Sequence, residues 1–248
     1  MPDIAFPQTI LALLGGMAPF GFPIPFDIPL ETGQMLIDLA LLFLIAFLLG
    51  SIPWGVIISK VFFKKDVRDE GSGNIGATNS IRALGKFGGA VVFLLDFGKG
   101  LLSGYLGMLL SYALLASGYP DGCIGMPVAF LGCVLGHIFS PWLGFRGGKG
   151  IAVGVGCLFF TLGYWIAITE LLIFAGVVVI SRYVSLGSVV STSVAALFSV
   201  WVYWGNWIGM LFMIAGAILI IWAHRGNISR LANGTESRIG AGKKTNDG

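Results

Sequence analysis

Charged residues are scarce in this sequence. Only 11% of its 248 residues are Asp, Glu, Lys or Arg, whereas about 25% is usual in soluble domains. Hydrophobic residues make up 56% of the chain, which leaves too few polar side chains to cover a soluble fold of this length. The composition therefore excludes a soluble enzyme and a disordered protein, and it indicates an integral membrane protein.

Cysteine is also rare, and basic residues are missing from the start of the chain. The three cysteines, Cys123, Cys133 and Cys157, show no C-x-x-C spacing, which argues against a disulfide framework and against a metal site. No Lys or Arg precedes Lys60, so the N-terminus lacks the basic region of a cleaved signal peptide. We therefore expect no bound metal. We also expect no cleaved signal peptide at the start of the sequence.

Long apolar runs take the place of charge. A helix that crosses the hydrocarbon core of about 30 Å needs about 20 apolar residues. We predict an all-α, polytopic membrane bundle of about seven transmembrane helices. The third and fourth are short, so a tilted pair or a re-entrant hairpin that leaves five spans is an alternative. The predicted helices cover residues 36–63, 88–117, 124–141, 149–162, 164–181, 187–204 and 206–223.

The positions of Lys and Arg predict the orientation of the bundle. Apart from Lys99, the other 14 basic residues fall in or at the edges of alternate connections between predicted helices, or after the last helix. The segments 1–35 and 118–123 and the turns around Gly163 and Gly205 contain none. Because basic loops are retained in the cytoplasm, we expect the N-terminus outside and the C-terminus inside.

Three regions follow from these patterns. Residues 1–35 hold six of the ten prolines and predict an extension at the outer membrane interface. Residues 36–236 form the membrane-embedded domain, and residues 237–248 are expected to be a polar, disordered cytoplasmic tail.

The longest polar interruption contains GSGNIGATN, residues 71–79, followed by Arg82 and Lys86. Glycines let the backbone approach a ligand closely, and Ser, Thr and Asn add hydrogen-bond donors, as in an anion-binding nest. A phosphate is the expected guest. A flexible Gly/Ser linker is the alternative, and a P-loop is excluded because its lysine motif is absent.

Two further polar clusters lie at helix ends. In GHIFSPWLGFRGGKG, Lys149 stands between glycines, where the start of a helix would also favour an anion. In HRGNISRLANGTE, His224 and Asn227 can share one face of a helix. Lys149 as a positive-inside anchor and His137 as a buried core histidine are the alternatives.

Polar residues within the predicted helices are few. Asp96 and Lys99 are spaced i,i+3 and predict an internal ion pair that supports the preceding loop. Pro53 predicts a kink that opens the first helix. Glu170 has no local partner, and its function cannot be inferred from the sequence.

These motifs together resemble the bacterial membrane glycerol-3-phosphate acyltransferases that use acyl phosphate as donor. The resemblance runs from GSIP in the first helix to the final Thr-Glu, over about residues 36–236. The first 35 residues have no counterpart in the usual compact family members, and Ser140 and Gly226 also depart from the family's motif pattern. It implies transfer of a fatty acyl group to the 1-hydroxyl of glycerol 3-phosphate, which gives lysophosphatidic acid and inorganic phosphate in the first acylation of phospholipid synthesis. The expected location is the bacterial cytoplasmic (inner) membrane, with the site facing the cytoplasm.

The resemblance also implies roles for individual residues. Ser72, Arg82 and Lys149 would hold glycerol 3-phosphate, while Thr78 and the glycine backbone would cradle the donor phosphate. A substrate phosphate would take the hydroxyl proton, with His137, His224 or Glu236 as alternatives. The residues expected to act in catalysis are His137, His224 and Asn227. The residues expected to bind substrate are Ser72, Gly73, Asn74, Gly76, Thr78, Asn79, Arg82, Lys149 and Glu236. No cofactor is expected, and the expected partners are glycerol 3-phosphate, acyl phosphate and membrane lipids, not nucleic acid.

A phosphate or organic-anion transporter is the alternative function. Transporters bind at the membrane midplane through broken helices, whereas these polar clusters fall at one membrane face.

Other acyl-transfer signatures are missing. The H-x-x-x-x-D motif of soluble-type acyltransferases needs Asp five residues after His, but the sequence has Trp142 after His137 and Ser229 after His224. The G-x-S-x-G motif of serine hydrolases is also absent.

Overall fold

The computed structural model describes residues 32–119 and 122–239, and that part of the chain is helical with no β-strand. Residues 1–31 of the predicted extension and residues 240–248 of the predicted tail lie outside the described residues. Short 3-10 turns precede α3, α4 and α5. The α-helices of the described residues are α1 (Thr32–Ser51), α2 (Trp54–Phe63), α3 (Ala77–Ala116), α4 (Gly125–Ile138), α5 (Ile151–Thr161), α6 (Tyr164–Ser181), α7 (Val184–Val202), α8 (Trp207–Ala223) and α9 (Arg225–Ala232).

The prediction of an all-α membrane bundle is confirmed. Within the described residues, five helical stretches are long and apolar enough to cross a membrane. A sixth is added if α8 and α9, which meet at 53°, form one broken span. An apolar helix lies at each of the seven predicted places, but α5 has only 11 residues. It is therefore about 16 Å long and too short to span alone. The orientation of the termini stays a prediction.

Helix α3 begins earlier than predicted. We expected a loop up to residue 88, but Gly76 O accepts hydrogen bonds from the amides of Asn79 and Ser80 and so starts the helix at Ala77. Gly85 then adopts a φ of 80°, which interrupts the helix. The predicted boundary is wrong because this first segment is too polar and glycine-rich to read as part of a span. Consequently several candidate site residues lie on a helix rather than in a loop.

The kink predicted at Pro53 is present as a complete break between α1 and α2. A break in a membrane helix exposes carbonyl groups that need partners inside the protein. Ser51 O accepts a hydrogen bond from Ser140 Oγ at 2.7 Å. Ile52 O accepts one from Lys99 Nζ at 2.7 Å. The break is therefore stabilised by side chains from α3 and from the end of α4.

Glycines allow the helices to pack with their backbones in contact. A Cβ added at Gly100 of α3 would lie 2.1 Å from Val153 O of α5, and one at Gly50 of α1 would lie 2.1 Å from Cys133 O of α4. Small residues at such contacts are typical of membrane helices, whose association depends on close packing. The contact between α3 and α5 places the start of α5 beside the buried middle of α3.

We expect Gly100→Ala to lower the stability of the bundle by about 1–3 kcal/mol, because the added methyl group overlaps the α5 backbone. Gly98→Ala is the matched control. Gly98 lies on the same helix with no atom within 4 Å of an added Cβ, so alanine should be neutral or slightly stabilising. Thermal unfolding midpoints of the purified variants in one detergent test this. Equal midpoints would contradict the proposed backbone contact.

Candidate active site

Three segments that are distant in sequence meet around a cavity of about 260 Å³. They are the loop before α3, the segment before α5 and the first turns of α9. Three of the eight lining residues are cationic, which suits an anionic ligand. The lining residues are Ser72, Asn74, Lys149, Ala223, Arg225, Gly226, Asn227 and Arg230.

Asn79 holds the loop before α3 in place. Its Oδ1 accepts a hydrogen bond from Ser72 N at 2.8 Å. Its Nδ2 donates to Val67 O at 2.9 Å and to Glu70 O at 3.0 Å. Both amide hydrogens are therefore used within the loop, and the side chain is only 2% exposed. The geometry makes Asn79 a framework residue of the site.

Three of the loop's own amide groups are also engaged. The amides of Ser72, Gly73 and Gly76 donate to acceptors within residues 70–79. By contrast, the amides of Ala77 and Thr78 donate to no residue in the described part of the chain. They lie at the N-terminus of α3, where unpaired amides and the helix dipole favour an anion. Free donors on this side of the site therefore include the two amides at the helix start.

Residues 147–150, here called the strap, form the last part of the connection from α4 to α5 and carry Lys149. The amides of Gly147 and Gly148 donate to Ile138 O and His137 O, each at 2.9 Å. The strap therefore folds back on the end of α4. The His137 ring lies against the strap, because a Cβ added at Gly148 would be 2.1 Å from His137 Nε2. His137 is 4% exposed and does not line the cavity.

Lys149 is linked to the C-terminal segment through Asn227. Lys149 Nζ donates to Asn227 Oδ1, and Asn227 Nδ2 donates to Glu236 Oε1 at 2.7 Å. The same carboxylate accepts hydrogen bonds from Ser185 Oγ at 2.8 Å and from Arg230 Nε at 2.7 Å. Glu236 thus joins α7, α9 and the chain after α9, and three donors already occupy it.

The charges at this centre are shifted by burial and by their neighbours. Burial lowers the pKa of Lys149 to about 8, although the charge of Glu236 acts in the opposite direction and those of Arg230 and Arg82 add to the lowering. Burial alone would raise the pKa of Glu236, but hydrogen bonds from Asn227, Ser185 and Arg230 outweigh it and lower the pKa. Near neutral pH the site therefore holds a lysine cation beside a carboxylate that resists protonation.

His224 and Arg82, two further expected site residues, are not among the lining residues. His224 is buried, and its Nδ1 lies 2.8 Å from Ile220 O. Because a carbonyl oxygen only accepts, Nδ1 carries the proton at this contact and Nε2 remains an acceptor. Arg82 is exposed on the first turns of α3 beside Gly71, and its charge reaches Lys149.

Arg225 and Arg230 were not among the expected site residues, yet both line the cavity. Arg225 stacks on Trp222 with its guanidinium carbon 3.9 Å from the ring centroid. Both arginines are counted in the sequence analysis among the basic residues that predict the orientation, and no role in the site is predicted for them. The spacing of Arg230 from Asn227 by three residues was a usable signal, because it places both on one helix face.

The helical membrane bundle and the cationic cavity at one end define an integral membrane protein with a site for an anionic substrate. A family model described as glycerol-3-phosphate acyltransferase matches residues 40–234. The chain belongs to the glycerol-3-phosphate acyltransferase family. The resemblance inferred from the motifs is therefore confirmed, and the protein is an acyltransferase of a bacterial membrane family.

Relatives match over nearly their whole length. A glycerol-3-phosphate acyltransferase of Listeria monocytogenes is 37% identical over 213 residues, covering 83% of this chain and 98% of the relative. A glycerol-3-phosphate acyltransferase of Thermosynechococcus vestitus is 39% identical over 209 residues, covering 82% of this chain and 96% of the relative. The crystal structure of PlsY, an integral membrane glycerol 3-phosphate acyltransferase, in its glycerol 3-phosphate form is similar with a TM-score of 0.71. That match has 37% identity and covers 82% of this chain and 96% of the other. The lysophosphatidic acid form of PlsY is similar with a TM-score of 0.69 and 36% sequence identity.

The low pKa of Lys149 predicts an alkaline limit to activity. As pH rises through about 8, Lys149 loses its proton and with it the charge that attracts a phosphate, so kcat/KM for glycerol 3-phosphate should fall. Lys149→Arg should lack this decline, because guanidinium stays protonated. Glu236→Gln should move the decline to lower pH, because the carboxylate raises the pKa of Lys149. Profiles of kcat/KM against pH for the three proteins test this. If kcat/KM declines at the same alkaline pH in all three proteins, Lys149 is not the group whose titration causes the decline.

Proposed function

We propose that the protein transfers a fatty acyl group from acyl phosphate to the 1-hydroxyl of glycerol 3-phosphate. The products are lysophosphatidic acid and inorganic phosphate. The observation that carries this proposal is one cationic cavity that joins a half-buried lysine, held by Asn227, to Ser72 and Asn74 of the loop that leads into the unpaired amides at the start of α3. Such a site can hold two phosphate groups at once, which this reaction requires and a single-anion site does not.

The acceptor is assigned to the side of the cavity formed by the strap and α9. Lys149 lines the cavity with Ser72 and Asn227, so a phosphate between them meets one cation, one hydroxyl and one amide. The charge of Arg82 acts on Lys149, so Arg82 is assigned to the same phosphate. We call Ser72, Arg82 and Lys149 the phosphate grip. The glycerol hydroxyls are then oriented by Asn227 and by His224 Nε2, whose other ring nitrogen is fixed by Ile220 O.

The donor phosphate is assigned to the N-terminus of α3. The amides of Ala77 and Thr78 are available there, and the Thr78 hydroxyl is exposed beside them. Gly73, Gly76 and Asn79 shape this region through the hydrogen bonds that hold the loop. Asn74 lines the cavity and completes the donor side.

The reaction needs positioning more than strong base catalysis. The 1-hydroxyl oxygen attacks the acyl carbonyl carbon, the bond from that carbon to the phosphate oxygen breaks, and the phosphate leaves as a good leaving group. The hydroxyl proton passes to a phosphate oxygen of a substrate. Glu236 is a poor base because three donors occupy it and its pKa is lowered. His137 lies beneath the strap and acts as a support.

The location is part of the same proposal. We assign the cavity to the cytoplasmic face of the bacterial inner membrane, because the basic loops surround it. An acyl chain then extends from the site into the hydrocarbon, while glycerol 3-phosphate arrives from water. The transporter alternative is not favoured, because the charged lining lies at the end of the bundle rather than along a path through it.

Donor choice tests the reaction itself. Purified protein with glycerol 3-phosphate and an acyl phosphate should form lysophosphatidic acid and inorganic phosphate in equal amounts. Acyl-coenzyme A should not support turnover, because its thioester carries no phosphate on the acyl carbon for the amides at the start of α3 to hold. Lysophosphatidic acid and phosphate are measured with each donor. Equal or faster turnover with the thioester would refute the proposed donor.

Arg82→Ala and Lys149→Ala test the phosphate grip. Loss of a charge-assisted contact to phosphate typically costs about 1.5–3 kcal/mol, or roughly 10- to 150-fold in kcat/KM. Arg82→Lys should also be poorly active, because a point charge does not replace a bidentate guanidinium. Lys64→Ala, which removes an exposed cation before the loop, is the control and should retain activity. If folded Arg82→Ala and Lys149→Ala proteins keep near-normal kinetics, the phosphate grip lies elsewhere.

A further inference from the structure

Three titratable side chains lie buried together where α3 passes the end of α4. Asp96, Lys99 and His137 are 1%, 5% and 4% exposed. Lys99 Nζ lies 2.8 Å from Asp96 Oδ1, and His137 Nδ1 lies 3.8 Å from the same oxygen. We call these residues the buried charged cluster. None of them lines the candidate cavity, and charged groups at membrane depth are rarely retained without a function.

The cluster touches the strap that carries Lys149. The His137 ring faces Gly148 so closely that an added Cβ would lie 2.1 Å from Nε2. The backbone carbonyl of His137 also accepts a hydrogen bond from Gly148 N at 2.9 Å. Both the ring and the backbone of His137 therefore determine where residue 148 sits, and Lys149 is the next residue.

The cluster is also connected, through Ile52 and α2, to the loop before α3, which supplies other lining residues of the cavity. Lys99 Nζ donates to Ile52 O at 2.7 Å, at the break that leads into α2. Three residues later, Gly55 of α2 packs directly against the backbone of the loop before α3, since an added Cβ would lie 1.9 Å from Ile75 O. A shift of Ile52 would therefore be passed through α2 to the loop that carries Ser72 and Asn74.

We propose that Asp96, Lys99 and His137 are positioning residues that fix the distance between Lys149 and the loop before α3. They touch no substrate; they act on the acceptor phosphate through Lys149 and through Ile52. This inference rests on the proposed function, in which Lys149 holds that phosphate. It goes beyond general stabilisation, because a buried ion pair contributes little net stability compared with apolar residues of similar volume. What the pair supplies is a fixed geometry between two elements.

The test is a double-mutant cycle with the full-length protein. Asp96→Asn combined with Lys99→Met removes both charges while nearly keeping the volume, so no uncompensated charge is left buried. This pair of substitutions is introduced into the wild-type chain and into Lys149→Ala. Kinetics with glycerol 3-phosphate and palmitoyl phosphate give KM for each substrate and kcat.

In the wild-type background we expect KM for glycerol 3-phosphate to rise about 10-fold or more, with KM for palmitoyl phosphate changed less than about 2-fold. In the Lys149→Ala background the same substitutions should change KM for glycerol 3-phosphate less than about 2-fold, because residues that act through one group are not additive. An equal effect in both backgrounds would refute the inference and reduce the cluster to a purely structural role.

Ser111→Ala is the matched control. Ser111 is buried on α3, and its Oγ accepts a hydrogen bond from Met126 N of α4 at 3.2 Å, far from the strap. Its loss should lower the thermal midpoint without raising KM for glycerol 3-phosphate. A rise in KM like that of the cluster variant would show that any loosened contact between α3 and α4 suffices, which would also refute the inference.

Gly148→Ala approaches the same link from the strap if the cluster variant does not fold. Its methyl group presses on the His137 ring, so KM for glycerol 3-phosphate should rise only while Lys149 is present. An unchanged KM would overturn the inference. The proposed function fails separately, because a wild-type protein that is inert with palmitoyl phosphate refutes the reaction before any variant is compared.

Discussion

A backbone break within a membrane needs partners from the protein, because hydrocarbon offers none. The break at Pro53 leaves the carbonyls of Ser51 and Ile52 outside helix geometry, and Ser140 and Lys99 donate to them. The ammonium of Lys99 then needs a counterion at the same depth, which Asp96 supplies at 2.8 Å. One interrupted helix therefore determines how α1, α2, α3 and α4 meet. The remaining features of the site are built on that junction.

The site separates residues that offer free donors from residues that hold them. Lys149 lines the cavity, and the first amides of α3 donate to no acceptor in the described residues. Asn79 and Glu236 have every strong hydrogen-bonding group engaged by the protein itself. A framework of this kind keeps donors in place before a ligand arrives, so little ordering entropy is lost on binding. For two multiply charged substrates, that preorganisation matters more than the number of cations.

Sequence patterns predicted the helical class and the places of the apolar helices, because hydrophobic run length is a strong local signal. The resemblance to the family also predicted a shared site for Ser72, Lys149 and Asn227, and all three line the cavity. They failed at the start of α3, where Asn79 is buried by contacts with Val67 and Glu70 that no local periodicity records. The role of Asn79 therefore required the folded loop.

Sequence motifs do not distinguish a residue that touches a ligand from one that supports its neighbour. His137 and Lys149 stand in the same motif, yet only Lys149 lines the cavity, while the ring of His137 packs beneath Gly148. Loss of either side chain is expected to reduce activity, so a simple loss does not separate the two roles. The separation comes from dependence: an effect that acts through Lys149 disappears when Lys149 is absent, whereas a direct contact retains its own contribution. In a membrane site whose framework is itself polar and buried, that dependence is what defines the boundary of the active site.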